Sequence, residues 1–219
     1  MNQRKWFPIF AVVLCLAALL FTLSSCNKNP AEGLGDIVYV EIDMQNGDYI
    51  KLELYPGIAP ITVANFVDLC NRDFYAGIQF HSVIYGFMIQ AGDPTATGSG
   101  GSEKCIKGEF QSNGVQNLIS HERGVISMAR LSNNYNSASS QFFIMHQTET
   151  RLDGDYAAFG RVIEGIDVVD KIASVATDQY DKPLAGQFIK TIRVISEEAA
   201  KTPGAAPFAT GSDTGSDTE

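Results

Sequence analysis

The chain has 219 residues and a formal net charge of −9 at pH 7, which is enough length for one ordinary domain with tails. An acidic chain without a basic stripe repels nucleic acid, so we expect no nucleic-acid partner. Its four cysteines show no metal-type spacing such as Cys-x-x-Cys, and we expect no metal site.

The first 25 residues contain the successive regions of a secretory signal, namely a basic start, an apolar middle and an end of small residues. Arg4 and Lys5 precede an uncharged apolar run over residues 9–23, which is too short to span a bilayer comfortably as a permanent helix. The run ends in the sequence LSSC, which resembles the lipobox of bacterial lipoproteins. We therefore expect residues 1–25 to be removed and Cys26 to be acylated, anchoring the domain to a membrane. The alternatives are an ordinary cleaved signal or an uncleaved anchor, with an incidental cysteine.

Residues 26–36 are interpreted as a short tether that follows the lipidated cysteine. Beyond it, Val38–Met44 and Tyr49–Leu54 alternate apolar and polar residues, as half-buried strands do. Asn46-Gly47 between them supplies the positive φ angle that a tight turn requires. The sequence therefore predicts a β-hairpin at the start of the globular part.

Two helices are predicted from apolar spacing. The first begins at Pro60, since proline suits a first turn, and apolar residues from Val63 to Cys70 recur on one face. The second covers Ile166–Val175 for the same reason. Because Cys70 lies on the apolar face, a buried free thiol and, after export, a disulfide with Cys105 both remain open.

Short apolar runs separated by Gly, Asn, Ser and Asp predict further strands. These runs are Phe80–Gln90, Gly124–Ala129, Gln141–Met145, Ala157–Val162 and Phe188–Ile195. The loop Asp93–Ser102 is too rich in Gly, Ser and Thr for regular structure, and residues 199–219 are polar, acidic and predicted to be disordered. Two helices among many strands indicate an all-β barrel or sandwich with a single core over residues 37–198.

Common hydrolytic and phosphate-binding motifs are missing. The chain has neither a Gly-x-Ser-x-Gly elbow nor a Gly-Lys-Ser/Thr after its glycine-rich loop, and we interpret its three histidines as structural. Asp153 and Asp155 flank a glycine, which is typical of a turn.

Two runs instead place bulky apolar residues beside an amide, namely Phe87-Met88 before Gln90 and Phe142-Phe143 after Gln141. Neighbouring strand residues face opposite sides, so one member of each pair should face the core and the other an outer groove. Such a groove suits a proline-containing peptide.

These pieces resemble the motifs of the cyclophilins, the peptidyl-prolyl cis-trans isomerases, in the family's order over roughly residues 37–196. The matching motifs are Phe80-His81, Gly86–Gln90, Gly92-Asp93, Gly124–Ala129, Ser140–Ile144, Leu152–Gly154 and Phe159-Gly160. The resemblance implies a closed eight-stranded antiparallel barrel capped by two α-helices, isomerisation of the bond before proline, no cofactor and a monomer.

The resemblance also implies the site residues. The catalytic residues are Phe87, Gln90 and Phe143, and the substrate-binding residues are Ser82, Met88, Ala129, Arg130, Leu152 and Tyr156. Ser82 stands where the family carries the arginine that donates to the prolyl nitrogen, and Arg151 replaces a groove tryptophan of eukaryotic members. Losing one such donor costs about 3–4 kcal/mol of transition-state stabilisation.

The sequence therefore predicts a lipid-anchored isomerase in the bacterial cell envelope, outside the cytoplasm, that assists protein folding at a reduced rate. Its partners would be proline-containing polypeptides, with the membrane contacted only through the anchor. The alternative is a non-catalytic proline-peptide-binding module or chaperone on the same fold. A purely architectural part of an envelope complex is a third reading.

Overall fold

The computed structural model of the protein describes residues 30–203. The predicted signal, the acylation site at Cys26 and most of the acidic tail lie outside these residues. Within them, no helix is long and apolar enough to cross a membrane.

The described part contains eight strands, three α-helices and two short 3₁₀ helices. The strands are β1 Val38–Met44, β2 Tyr49–Leu54, β3 Ser82–Ile84, β4 Met88–Ala91, β5 Val125–Met128, β6 Phe142–Met145, β7 Ala158–Glu164 and β8 Ile189–Ile195. The α-helices are α1 Pro60–Asn71, α2 Ile166–Ala173 and α3 Glu197–Lys201, and the 3₁₀ helices are Gln111–Asn113 and Thr150–Leu152.

The predicted N-terminal hairpin is confirmed by the antiparallel pairing of β1 with β2, from Val38 opposite Leu54 to Asp43 opposite Tyr49. In its turn only Gly47 has a positive φ, of 90°. Asn46 contributes through its side chain instead, since its Oδ1 accepts a hydrogen bond from the backbone N–H of Asp48 at 3.0 Å.

The eight strands form one antiparallel sheet in the order β3-β4-β6-β5-β7-β2-β1-β8. This sheet is an open half-barrel, so the prediction of a closed barrel is wrong. The edge strands β3 and β8 do not pair with each other, because β3 has only three residues and is preceded by irregular chain. That chain bridges the gap through single hydrogen bonds, such as Gly77 N–H to Ile189 O at 2.9 Å and Phe80 N–H to Gln187 O at 2.9 Å.

Helix α1 packs its apolar face into the main core, as its spacing predicts. The ring of Phe66 lies 5.2 Å from Tyr75, 5.5 Å from Phe142 and 5.3 Å from Phe159, measured between ring centroids. Cys70 is buried on the same face, and both Cys70 and Cys105 are free thiols, so the disulfide is not formed. Burial also raises the pKa of the Cys70 thiol.

Both ends of the domain differ from the prediction. In the predicted tether, Ala31 is buried and Leu34 packs against the main core. At the other end, helix α3 extends to Lys201, so its last three residues belong to the stretch that was predicted to be disordered. The buried ammonium of Lys51 holds this helix, donating to the carbonyls of Ala199 at 3.1 Å and Thr202 at 2.5 Å. A helix of five residues is too short to show an apolar period.

Candidate active site

A second apolar cluster lies on the outer face of the sheet, separate from the main core. Its buried members are Met88, Val125, Phe143, Met145 and Ala158. Phe142 belongs to the main core, so strand alternation divides the Phe142-Phe143 pair as predicted. The same expectation for Phe87 and Met88 is wrong, because both belong to the outer cluster. Phe87 lies in the turn before β4, where its N–H bonds to Ile84 O, and alternation does not apply there.

A surface cavity of about 150 Å³ opens over this cluster. Eight of the nine predicted catalytic and substrate-binding residues line it, namely Phe87, Met88, Gln90, Ala129, Arg130, Phe143, Leu152 and Tyr156. They come from five separate stretches of the chain, and the pairing of Gln90 with Phe143 across β4 and β6 forms the centre. The cavity combines an apolar floor with an amide and a guanidinium at its edge.

Ser82 is the predicted site residue that does not line this cavity. It pairs with Gln90 across β3 and β4 and is half-buried. Directly opposed residues of an antiparallel pair project their side chains to the same face of the sheet. The position therefore faces the groove beside Gln90, while the serine side chain ends short of the cavity wall.

The guanidinium of Arg130 is held firmly at the edge of the cavity. Its Nε donates to Asp155 O at 2.9 Å, and its Nη1 donates to Leu131 O at 2.9 Å and Ser132 O at 3.1 Å. It also lies over three aromatic rings at 4.6–5.2 Å from their centroids, those of Phe110, Tyr135 and Tyr156. Cation–π contacts and carbonyl acceptors together favour one orientation of the positive charge.

The side chain of Arg151, unlike that of Arg130, points away from the cavity. Its side chain is 87% exposed and pairs with the carboxylate of Glu149. The pairing raises the pKa of Arg151 and lowers that of Glu149 to about 2. Arg151 therefore faces solvent and does not line the cavity.

Gln90 is oriented by a chain of amides. Its Nε2 donates to Gln141 Oε1 at 2.7 Å, and Gln141 Nε2 donates to Gly98 O at 3.0 Å and Gly100 O at 2.7 Å. The glycine-rich loop thus fixes the amide that borders the cavity. A neighbouring cavity of about 370 Å³ shares Gln90, Ala129 and Arg130 and extends along this loop.

The loop is irregular, as predicted, but one buried carboxylate organises it. Asp93 accepts hydrogen bonds from the backbone N–H groups of Thr95, Thr97, Gly98 and Gly100 at 2.7–3.1 Å. Burial alone would raise the pKa of Asp93, but the bonds from Thr95, Gly100 and Thr97 outweigh it and hold the pKa well below its usual range.

A larger cavity lies elsewhere, between α1 and residues 102–106, and has a volume of about 490 Å³. It gathers none of the predicted site residues, and its charged lining includes the exposed Asp68–Arg72 ion pair. Among residues 30–203, no group of three or more His, Cys, Asp or Glu side chains is arranged to hold a metal ion.

One group of hydrogen-bonded polar side chains was not predicted from the sequence. His121 Nδ1 lies 2.8 Å from Asp153 Oδ1, and His121 Nε2 lies 3.0 Å from Ser127 Oγ. The two bonds join positions 32 and 6 residues away along the chain, so no local motif signals them. The group lies directly beneath Phe143.

The sequence and the fold are both similar to those of known proteins. Residues 39–194 match the family model described as cyclophilin type peptidyl-prolyl cis-trans isomerase/CLD. Peptidyl-prolyl cis-trans isomerase 10 of Caenorhabditis elegans is 40% identical over 155 residues, covering 71% of this chain and 94% of the relative. Peptidyl-prolyl cis-trans isomerase B of Bacillus subtilis is 40% identical over 131 residues, covering 60% of this chain and 87% of the relative. A cyclophilin type isomerase of Cryptosporidium parvum, crystallised in the presence of the dipeptide Ala-Pro, superposes with a TM-score of 0.67 at 33% identity, covering 72% of this chain and 99% of that one.

Proposed function

Because the chain belongs to the cyclophilin family and is a peptidyl-prolyl cis-trans isomerase, we propose that the outer cavity is where it grips proline. The observation that carries this proposal is the convergence of eight predicted residues on one apolar cavity. The cavity's small volume and apolar floor suit a single proline ring, and the adjoining cavity along the glycine-rich loop extends the surface for the rest of a peptide.

The reaction requires rotation about an amide bond with a barrier of about 18–20 kcal/mol. In the proposed mechanism, Phe143, Met88 and Leu152 hold the ring while the preceding carbonyl turns. The Gln90 amide has a second N–H besides the one bonded to Gln141, and this N–H suits a substrate carbonyl. A donor to the prolyl nitrogen would lower the barrier further, since that nitrogen regains its lone pair when conjugation is lost.

We propose that turnover is slower than an arginine at position 82 would permit. Ser82 carries no charge and does not line the cavity, so it is a poor substitute for a guanidinium. Arg130 is the cation that borders the groove. Its Nε and Nη1 are bonded to carbonyls, whereas no described residue accepts a hydrogen bond from Nη2. Binding with little turnover is the second candidate function, and the position of Ser82 favours it.

The activity is proposed to serve exported proteins at a membrane of the bacterial envelope. The proposal is supported by the sequence before residue 30, in which a basic start is followed by an apolar run and then by LSSC. Mass spectrometry of the mature N-terminus should find an acylated Cys26. An unmodified N-terminus at another residue would refute the anchor without affecting the proposed chemistry.

The site is tested by a protease-coupled assay of the full chain with a chromogenic Ala-Pro peptide. Phe143→Ala should remove most of the activity, because it empties the floor of the cavity. Tyr180→Ala is the matched control, since Tyr180 is 76% exposed and lines neither groove cavity. A folded Phe143→Ala variant with the wild-type rate would place the reaction elsewhere.

A further inference from the structure

A hydrogen-bonded chain of three side chains, of which His121 and Ser127 are buried and Asp153 is exposed, adjoins the floor of the proline cavity. The Asp153 carboxylate accepts from His121 Nδ1 at 2.8 Å, and His121 Nε2 meets Ser127 Oγ at 3.0 Å. The imidazole is nearly parallel to the Phe143 ring, at 19° and 6.0 Å between centroids. It also meets the edge of the Tyr156 ring at 6.4 Å. Both aromatic neighbours line the cavity.

The residue types and their order of contact are those of a serine hydrolase, but the burial excludes that chemistry. Ser127 and His121 are both fully buried, with 0% exposure. A nucleophile must reach the substrate carbonyl, and a hydroxyl with no exposed surface does not reach a substrate bound in the cavity. The group therefore acts on the cavity wall and not on a substrate.

The carboxylate ties two walls of the cavity together. Asp153 Oδ1 also accepts from the backbone N–H of His121 at 2.7 Å, and its Oδ2 accepts from Ser120 Oγ at 2.7 Å. Asp153 directly follows Leu152, which lines the cavity. The segment that carries Leu152 is thus joined to the ring that supports Phe143.

We propose that His121 and Asp153 are positioning residues for prolyl isomerisation, which set the distance between the Phe143 floor and the Leu152 wall. This inference rests on the proposed function of the cavity. A cavity that must fit one five-membered ring tolerates little movement of its walls, because misplacement by about 1 Å can cost about 10² in rate.

The protonation state of the imidazole follows from its partners. The Asp153 carboxylate can only accept, so Nδ1 carries the proton and Nε2 accepts from the Ser127 hydroxyl. Burial lowers the pKa of His121, and Asp153, the only charged group that acts on it among the described residues, opposes this effect. A neutral ring with both nitrogens satisfied has one preferred orientation.

The test compares His121→Phe, Asp153→Ala and the double variant in the full chain. His121→Phe keeps an aromatic ring beneath Phe143 but removes both ring hydrogen bonds. We expect each single variant to lose on the order of 10- to 100-fold in kcat/KM. Because the two side chains are bonded to each other, the double variant should lose less than the product of the two single fold-losses.

Two controls separate positioning from general stability. Thr191→Ala removes a hydrogen bond to Asp73, and neither residue lines a groove cavity, so this variant should keep kcat/KM near wild type. Cys70→Ala removes a buried side chain from the main core, far from the outer cluster, and should lower the unfolding midpoint while kcat/KM stays unchanged. If kcat/KM instead falls with the midpoint in Cys70→Ala as it does in His121→Phe, the inference is wrong.

The affinity for an Ala-Pro peptide is measured in parallel by NMR titration, so that the inference is tested even if the wild type shows no turnover. Absence of wild-type turnover would count against the proposed function alone. Weaker peptide binding by folded His121→Phe or Asp153→Ala supports the positioning role. Unchanged binding and kcat/KM in either folded variant, or additive losses in the double variant, would overturn it.

Discussion

Ser82 lies directly opposite Gln90 in the antiparallel ladder of β3 and β4. The two Cβ atoms of such a pair are about 4.5–5.5 Å apart and on the same face. A longer side chain at position 82 would therefore extend beside the Gln90 amide, over the cavity that Gln90 lines. Under the proposed mechanism, position 82 is where a longer, charged donor would reach the substrate.

Ser82→Arg should raise kcat/KM by about 10²–10³, because it adds a charged donor where the prolyl nitrogen is expected. The protease-coupled assay with an Ala-Pro peptide measures the change. Ser82→Ala serves as the control and should match the wild type. An arginine variant no faster than wild type would show that another group already fills this role.

Arg130→Ala should lower kcat/KM by roughly 10- to 100-fold, since it removes the cation at the cavity edge together with its contacts to three aromatic rings. Arg151→Ala is the matched control, because Arg151 is exposed and pairs only with Glu149 at the surface. Equal rates for the two variants would argue that the Arg130 charge takes no part. If Arg130 replaces the family's donor, Ser82→Arg should restore activity to Arg130→Ala.

Phe142→Ala should reduce the free energy of unfolding by about 3–5 kcal/mol, the usual cost of emptying a buried aromatic site. Phe142 is fully buried and meets Phe66, Tyr75 and Phe80 edge-on. Phe143→Ala should cost less stability, because its site opens to a surface cavity. Denaturant unfolding of both variants measures the difference, and the reverse order would contradict the assignment of the two rings to separate clusters.

Some of these features were accessible from the sequence. The β1–β2 hairpin and the buried face of α1 follow from periods of two and 3.6 residues, which are local. The Phe142-Phe143 division follows from the same alternation. The groove residues come from separate stretches of the chain, so no local hydrophobic period predicts that they meet. The order of the family motifs predicts it instead.

Two of the failures depend on contacts between distant segments, and the third, at Phe87, depends on a local turn. The sheet is open between β3 and β8 because β3 is short. The length of β3 depends on the contacts that its flanking segments make with the rest of the fold. Phe87 belongs to the outer cluster because it lies in the turn before β4, where strand alternation does not apply. The His121–Asp153 bond joins two segments whose contact only the folded sheet produces.

The Asp93 carboxylate should make the glycine-rich loop sensitive to acid. Its pKa in the folded state lies below the unfolded value of about 3.9, so the unfolded state binds the proton more readily. The resulting stabilisation is fully present above that value and is lost as the pH falls towards the folded-state pKa.

Denaturant unfolding of wild type and Asp93→Asn, at a series of pH values from about 7 to about 3, isolates this contribution. The difference in unfolding free energy should shrink as the pH falls, because the asparagine does not titrate. Other carboxylates affect both proteins alike and cancel. A constant difference over the whole range would contradict the role assigned to the Asp93 charge.

The attachment of helix α3 through Lys51 determines where the protein may be shortened. A fragment that ends with β8, at Ile195, would contain every strand yet remove both carbonyls that receive the Lys51 ammonium. The fragment would keep the ion pair of Lys51 with Glu164, at 2.9 Å. Losing these hydrogen bonds together with the helix that packs there should lower the free energy of unfolding, so we expect a fragment ending at Thr202 to be more stable than one ending at Ile195. One positive charge thus links the sheet to a carbonyl seven residues beyond the last strand.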